Sequence, residues 1–505
     1  MTNSPDSGGK NWIALWAGPL TAFLIILFYH PDIKHPEIGY TLGIAAWMAM
    51  WWITEAVPLA ITSLLPVALF PLLGIMDGQT VSAAYFNHVI FLFIGGFLIA
   101  LAMQRWNLHK RIALNILSIT GTGKSRLLLG FMLATALLSM WMSNTATAMM
   151  VVPILISVLS EIEPDPDKKR SFSTGVLLGV AYSASIGGVM TLVGTPPNLS
   201  FLRIYQVMFP QAPTITFLQW MLFAVPAGLL MLLAAFTLLY LKYAKGIKTK
   251  AVKNMPIRQM RKDLGPMSQE EKIVLFCFVL MALLWITRSD IEIGSTTIHG
   301  WASIFGKPDF INDGTVAIAV SLPLFMIPSK NSTGSRIMDW ATASHLPWDI
   351  VLLFGGGFAL ANGFRDSGLS LWLGHQLQGL SVLHPIIIIL IISLLVTFLT
   401  ELTSNTATTE MILPVLSGMA IVTHTHPLLF MLPATLSASM AFMLPAATPP
   451  NAIIFGTRRV TIREMARTGF WLNLIGAVII TAVVYFIGSA VFKINPGEFP
   501  AWAGQ

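Results

Sequence analysis

Two identical stretches of small polar residues lie within apolar parts of the chain. Residues 143–147 read Ser-Asn-Thr-Ala-Thr, and the same five letters return 261 positions later at 404–408. Hydroxyl and carboxamide groups supply hydrogen-bond donors and acceptors without a fixed charge. At a helix start they lie beside free backbone N–H groups and the positive end of the helix dipole, which favour an anion. Carbonyls freed where a helix breaks can coordinate Na⁺. These residues therefore predict a binding site for small ions.

A second motif is duplicated in the same way. Thr-Pro-Pro-Asn occupies residues 195–198 and returns at 448–451, 253 positions later. Consecutive prolines remove two N–H donors and break a helix, which leaves neighbouring carbonyls free. Gly194 before the first copy permits unusual backbone angles, whereas the second copy has Ala447 at that place. Helix packing or an ordinary membrane-helix kink is the alternative interpretation, and the duplication favours a site.

The offset of 261 extends beyond these motifs, since Phe93 corresponds to Phe354 and Pro153 to Pro414. The chain is thus predicted to be an internal duplication. Both halves carry helix-breaking polar motifs inside hydrophobic segments, which is the pattern of a transporter whose site lies between two repeats.

The composition places the chain in a membrane. Of its 505 residues, 55% are hydrophobic and only 10% are charged, against about 25% charged in soluble domains. Many apolar stretches approach the ~20 residues that span a bilayer. The net charge of +7 is concentrated in the loop 242–272, which marks a cytoplasmic side rather than a nucleic-acid surface. We therefore expect a multi-pass protein of the cell membrane, in a bacterium the inner membrane, with no nucleic-acid partner.

Loop charge predicts the topology. Residues 105–126 are basic and 160–172 carry further basic residues, so both stretches are expected inside. The apolar segment 127–159 between them would then enter the membrane and return, with Ser-Asn-Thr at its tip. The corresponding stretch 365–384 is nearly neutral, which suits the outer side. The predicted fold is an all-α polytopic membrane protein with two inverted repeats, about 11 transmembrane helices, two re-entrant hairpins, an internal N-terminus and an external C-terminus.

The charged residues within the apolar segments restrict the chemistry. No Lys or Arg occurs from 127 to 167 or from 385 to 457, so an anion bound at the tips needs helix N-termini and bound cations to offset its charge. Glu401 and Glu410 flank the second tip, and we expect hydrogen bonds that brace the hairpin or contact with water rather than a proton relay. Glu55 is interpreted as structural.

Other functional motifs are weak. Residues 121–125, Gly-Thr-Gly-Lys-Ser, lack both the first glycine and the preceding strand of a P-loop. His424 and His426 have no third ligand nearby in the sequence, which disfavours a metal site. No nucleophile or acid–base cluster indicates an enzyme. We expect no organic cofactor.

These duplicated motifs, together with Glu-Ala-Val-Pro-Leu at 55–59, resemble the divalent anion:sodium symporter family from about residue 12 to 492. The resemblance implies a homodimer with a scaffold domain and a moving transport domain in each protomer. It also implies an elevator-type cycle, with Na⁺ as the coupling ion. The expected function is sodium-coupled symport of C4 dicarboxylates such as succinate, malate and fumarate.

The resemblance also assigns site residues. The implied first sodium site comprises Ser139, Ser143, Asn144 and Gly194. The implied second sodium site comprises Thr400, Thr403, Asn405 and Ala447. The implied substrate-binding residues are Asn144, Thr145, Thr195, Pro196, Ser404, Asn405, Thr406, Thr448 and Pro449.

The same resemblance suggests a division of the chain. The segments are a cytoplasmic tail (1–11), scaffold helices 1–4 (12–104), a cytoplasmic interfacial segment (105–126), the first transport-domain repeat (127–243), a basic cytoplasmic loop (244–270), scaffold helices 7–9 (271–366), an outer interfacial segment (367–383), the second transport-domain repeat (384–492) and an external tail (493–505).

Alternatives remain at this point. Sodium-independent exchangers of the family tend to carry a basic residue soon after the first Ser-Asn-Thr-Ala, whereas Thr147 lies there in this chain, which favours symport. The sequence does not separate dicarboxylates from citrate or sulfate. A channel lined by two hairpins is a further alternative, and the broken helices in an inverted repeat favour alternating access.

Overall fold

The computed structural model of the chain describes residues 11–29, 31–121, 123–162, 171–245, 255–293, 296–331, 334–377, 379 and 383–504. Most of the predicted N-terminal tail and the middle of the basic loop lie outside these residues. The regular structure is almost entirely helical, because a helix satisfies its backbone hydrogen bonds internally within a bilayer. The helices before the first duplicated motif are α1 (Asn11–Phe28), α2 (Pro36–Thr54), α3 (Leu59–Thr62), α4 (Leu65–Leu72), α5 (Gly78–Tyr85), α6 (His88–Arg105) and α7 (Leu108–Thr120).

The remaining helices form two similar series. The first series, with the helices that follow it, is α8 (Lys124–Ser139), α9 (Asn144–Ile162), α10 (Ser171–Val189), α11 (Pro196–Met208), α12 (Phe217–Leu239), α13 (Met255–Asp263), α14 (Gln269–Ile286), α15 (Asp313–Ser321) and α16 (Trp340–Ala343). The second is α17 (Trp348–Asp366), α18 (Leu369–Gln376), α19 (Pro385–Thr400), α20 (Asn405–Val422), α21 (Leu428–Ala438), α22 (Pro449–Gly456), α23 (Ile462–Ala482) and α24 (Ser489–Val491).

One short antiparallel pair departs from the all-α prediction. The strands β1 (Ile291–Ile293) and β2 (Thr296–Ile298) pair between α14 and α15. Their isoleucine and threonine side chains are β-branched, which favours extended backbone over helix in so short a segment.

Length and apolarity qualify five stretches of the described helices as candidate membrane spans. They are Gly78–Arg105, Asn144–Glu161, Phe172–Val189, Phe217–Ala244 and Ile462–Val491. Shorter apolar helices accompany them, among them α19 and α21, which end where polar motifs interrupt the apolar sequence.

The order of helices repeats at the duplicated motifs. Four residues separate the end of α8 from Asn144 and the end of α19 from Asn405, where α9 and α20 begin. In the same way α11 and α22 begin at Pro196 and Pro449, because the fixed φ of proline and its missing N–H suit the first turn of a helix. Each broken helix packs on its neighbour in the same arrangement, α8 against α10 and α19 against α21. Every side chain described in α10 and α21 is buried, so these two helices form the centre of the molecule.

Candidate functional site

The first Ser-Asn-Thr motif lies where the chain passes from α8 to α9, and we call residues 143–147 the first tip. The Ser139 hydroxyl oxygen lies 2.6 Å from Asn144 Oδ1 and 2.7 Å from the carbonyl oxygen of Ala184 in α10. Ser143 Oγ accepts a hydrogen bond from the N–H of Ala146, which caps the start of α9. Hydroxyl, carboxamide and carbonyl oxygens therefore converge on one buried position.

The second tip, residues 404–408, lies between α19 and α20, and the residues around it repeat this geometry. Thr400 Oγ1 lies 2.8 Å from Asn405 Oδ1 and 2.7 Å from the carbonyl oxygen of Ala438 in α21. The Thr403 and Thr408 hydroxyls are hydrogen-bonded to each other. Ser139 and Thr400 are both fully buried. Uncharged oxygens gathered at a helix break are the donors that sodium sites in broken-helix transporters use.

Gly194 leaves open a space beside the first tip that further carbonyl oxygens surround. A Cβ atom built on Gly194 would lie 2.5 Å from the carbonyl oxygen of Gly188 and 2.9 Å from those of Ser139 and Met140. Three main-chain carbonyls therefore surround the space that a side chain would fill. The second repeat has the methyl group of Ala447 at this place, so the two predicted cation sites differ in shape.

The asparagine of each Thr-Pro-Pro-Asn motif anchors the loop before it. Asn198 Nδ2 donates to the carbonyl oxygens of Thr191 (2.7 Å) and Gly188 (3.3 Å). Asn451 Nδ2 donates to those of Ala441 and Leu444, both at 3.0 Å. These bonds hold the unwound segments that precede α11 and α22. Both asparagines are duplicated in the sequence, but their anchoring role follows only from these contacts.

A single cavity of about 900 Å³ joins the two tips and the two Thr-Pro-Pro loops. All nine residues that the resemblance implied for substrate binding line it, and so do four residues implied for sodium binding alone. Those four are Ser143, Gly194, Thr403 and Ala447. Ser139 and Thr400 lie behind the cavity wall, each against the carboxamide of its tip.

The opposite wall of the cavity was not anticipated from the motifs. Residues 53–55 and 58–60, Phe97 and residues 349–350 and 353 form much of it, on or beside α2, α3, α6 and α17. Among the described residues, no Lys or Arg lines the cavity, whereas Glu55, Asp349 and Glu401 do. A dianion in this cavity would find no cationic side chain, so bound cations and helix N-termini must supply the positive potential.

Glu401, next to the second tip, braces the unwound segment between α21 and α22. Its two carboxylate oxygens accept hydrogen bonds from the N–H groups of Phe442, Met443 and Leu444 at 2.7 to 3.1 Å. Oε1 also accepts from Asn473 Nδ2 of α23 at 2.7 Å. A segment that has left the helix thus keeps its buried N–H groups satisfied. The hydrogen bonds expected for this carboxylate are therefore present, and Glu401 also lines the cavity.

Glu401→Gln is expected to lower the thermal stability of the purified protein. The amide keeps one acceptor oxygen and places an NH₂ group against N–H donors, so about two bonds worth ~1.5–3 kcal/mol each are lost. The melting temperature in detergent measures this effect. Glu464→Gln is the matched control, because Glu464 caps the partly exposed start of α23. Equal melting temperatures for the two variants would show that Glu401 is not a brace.

Comparison with known proteins identifies the family. The family described as the sodium:sulfate symporter transmembrane region matches residues 10–494 of this chain. The chain belongs to this family. The sodium-dependent dicarboxylate transporter SdcS of Staphylococcus saprophyticus is 43% identical over 491 residues, which cover 96% of this chain and 92% of that protein. SdcS of Staphylococcus aureus strain NCTC 8325 is 44% identical over 501 residues, covering 97% and 94%.

The family confirms that the chain is a multi-pass membrane transporter and not an enzyme. The resemblance inferred from the duplicated motifs is thereby confirmed as well. Among solved structures, the YdaH transporter of Alcanivorax borkumensis is similar, with a TM-score of 0.57 and 14% identity over 92% of this chain and 99% of that one. That likeness shows a shared transporter fold.

Proposed function

We propose that this protein is a sodium-coupled symporter of C4 dicarboxylates such as succinate, malate and fumarate. The observation that carries the proposal is the shared cavity, in which both Ser-Asn-Thr tips and both Thr-Pro-Pro loops present neutral oxygens and N–H groups. The printed names of relatives at 43–44% identity, sodium-dependent dicarboxylate transporters, support the same substrate class.

Sodium binds first in this proposal and organises the tips. One ion occupies the cluster of Ser139, Ser143, Asn144 and Gly194. The other occupies the equivalent cluster of Thr400, Thr403, Asn405 and Ala447. Two bound cations would balance the dianion, which no Lys or Arg among the described lining residues can do. Substrate carboxylates then meet the carboxamides and hydroxyls of the two tips, with Thr195, Pro196, Thr448 and Pro449 closing the pocket.

The distribution of the lining residues supports an elevator-type movement. Every proposed binding residue lies on or beside α8 to α11 and α19 to α22, and the opposite wall lies on or beside α2, α3, α6 and α17. One group of helices can therefore carry the whole site past the other. The two inverted repeats with re-entrant hairpins, the homodimer, the surrounding lipid and the external C-terminus belong to the same proposal.

Uptake of radiolabelled succinate into proteoliposomes tests the function. An inward sodium gradient is expected to drive accumulation, and an equimolar choline gradient is expected to give none, because the site then has no cations to attract a dianion. Equal uptake in both conditions, dependent on internal dicarboxylate, would instead establish an exchanger. Sodium-driven uptake of citrate or sulfate without succinate uptake would reassign the substrate.

A further inference from the structure

Glu410 is a buried carboxyl group that the proposed mechanism does not use. It lies in α20, two residues beyond the second tip, and is fully buried. Its Oε1 lies 2.5 Å from the hydroxyl oxygen of Ser200 in α11. Its other oxygen, Oε2, has no hydrogen-bond partner among the described residues. Ser200 is thus its one observed polar contact.

The neighbouring helix α17 makes room for this carboxyl. A Cβ atom on Gly357 would lie 2.0 Å from Glu410 Oε2, so any larger residue there would collide with it. The first repeat has no counterpart, because the residue 261 positions earlier is Met149, whose side chain is 55% exposed. Glu410 therefore has no equivalent in the first repeat. It lies where α20, of the proposed moving group of helices, packs against α17, of the other group.

Among the described residues, no cation forms an ion pair with Glu410. The helices that pack on α20 include α2, α11, α17, α18, α19 and α21. The ionisable residues on these six helices are Glu37 and Tyr40, Arg203 and Tyr205, Asp349, Arg365 and Asp366, and His375. None of them forms a hydrogen bond or ion pair with Glu410 in the part of the chain that the structure describes. Arg365 instead pairs with Asp366, and Arg203 interacts with Arg365 and His88.

An ionised carboxylate in this position is energetically unfavourable. Burying one without a cation and with a single hydroxyl donor costs several kcal/mol, and a carboxyl group avoids that cost by holding its proton. Glu401 differs from Glu410, because it accepts hydrogen bonds from three backbone N–H groups and from Asn473 Nδ2. The two acids that flank the same tip thus have opposite surroundings.

We propose that Glu410 is a proton-binding site that holds a proton while it is packed between Ser200 and Gly357. When α20 and α11 move away from α17, water reaches the carboxyl group, and the O–H bond breaks to leave a carboxylate and a hydrated proton. The proton returns when the helices close again. The timing of this exchange rests on the proposed elevator function, whereas the protonated state in the present conformation does not.

Infrared difference spectroscopy of the purified protein tests the protonated state directly. At neutral pH, wild type minus Glu410→Gln is expected to show the C=O stretching band of one protonated carboxylic acid. Met149→Gln is the matched control at the repeat-related position and is expected to leave that band unchanged. A difference spectrum with carboxylate bands only would overturn the proposal. Should Glu410→Gln not fold, Ser200→Ala is expected to shift the band, and an unshifted spectrum would contradict the assignment.

Uptake measurements test the exchange of the proton. From neutral to mildly alkaline pH, where succinate is a dianion throughout, sodium-driven uptake by the wild type is expected to fall, because the closed conformation requires the protonated carboxyl. Glu410→Gln is expected to retain uptake and to lose this decline, since glutamine imitates the neutral form. Identical pH profiles would refute the exchange. Absence of sodium-driven uptake in the wild type would refute the proposed function while leaving the infrared result to decide the protonation.

Discussion

Replacing either tip asparagine, as Asn144→Ala or Asn405→Ala, is expected to abolish sodium-driven succinate uptake while the protein stays folded. Each carboxamide lines the shared cavity and lies against a buried hydroxyl, Ser139 or Thr400, at the convergence of oxygens. Alanine removes one proposed sodium ligand and one contact to the substrate. Hydrogen bonds to charged groups contribute about 1.5–3 kcal/mol each, so losing two lowers uptake at limiting substrate by roughly 100-fold or more.

The measurement is initial-rate uptake into proteoliposomes at matched protein content, with size-exclusion profiles to verify folding. Asn495→Ala serves as the control, because Asn495 is exposed in the segment after α24 and its carboxamide only accepts from the N–H of Gly497. Undiminished uptake by either purified tip variant would remove that asparagine from the site.

Gly194→Ala is expected to weaken the response to sodium, because it disrupts the first of the two proposed cation sites. The new methyl group would lie 2.5 to 2.9 Å from three carbonyl oxygens, closer than real Cβ contacts allow. The backbone must then shift, and the oxygens can no longer surround an ion of sodium's size. Sodium should raise the melting temperature of the wild type, because a ligand that binds only the folded state stabilises it. In Gly194→Ala this increase should be smaller, because only the second proposed site remains, and uptake should be lost.

Gly456→Ala is the matched control. Gly456 ends α22, within the same group of helices, and a Cβ atom there meets no atom within 4 Å. This variant should keep both the sodium-dependent increase in melting temperature and the uptake. If Gly194→Ala responds to sodium as the wild type does, the first cation site is not at this position.

Much of the site could be predicted from the sequence because its residues lie in duplicated motifs. A polar motif inside one apolar segment has several explanations, including helix packing. The return of Ser-Asn-Thr and Thr-Pro-Pro-Asn with nearly constant spacing favours a functional origin, and the structure places all four motifs around one cavity. The helix breaks were equally predictable, since the paired prolines at 196–197 and 449–450 favour the first turn of a helix.

Two features of the structure could not be predicted from the local sequence. The strands β1 and β2 consist of three residues each, too short for a periodic pattern to distinguish from a loop. The opposite wall of the cavity is formed by segments around Glu55, Phe97 and Asp349 that carry no duplicated polar motif. Their place at the site follows from how the helices pack and not from their own residue types.

The sequence by itself determined the membrane class, the duplication, the broken helices and the residues of the tips, because each depends on composition or on local backbone chemistry. Only the tertiary structure distinguished the two acids beside the second tip. Glu401 and Glu410 are nine residues apart, yet one accepts bonds from the backbone at 442–444 and the other contacts Ser200 and Gly357. Those partners come from distant parts of the chain. The state of a buried carboxyl group depends on the donors around it, and these are set by packing.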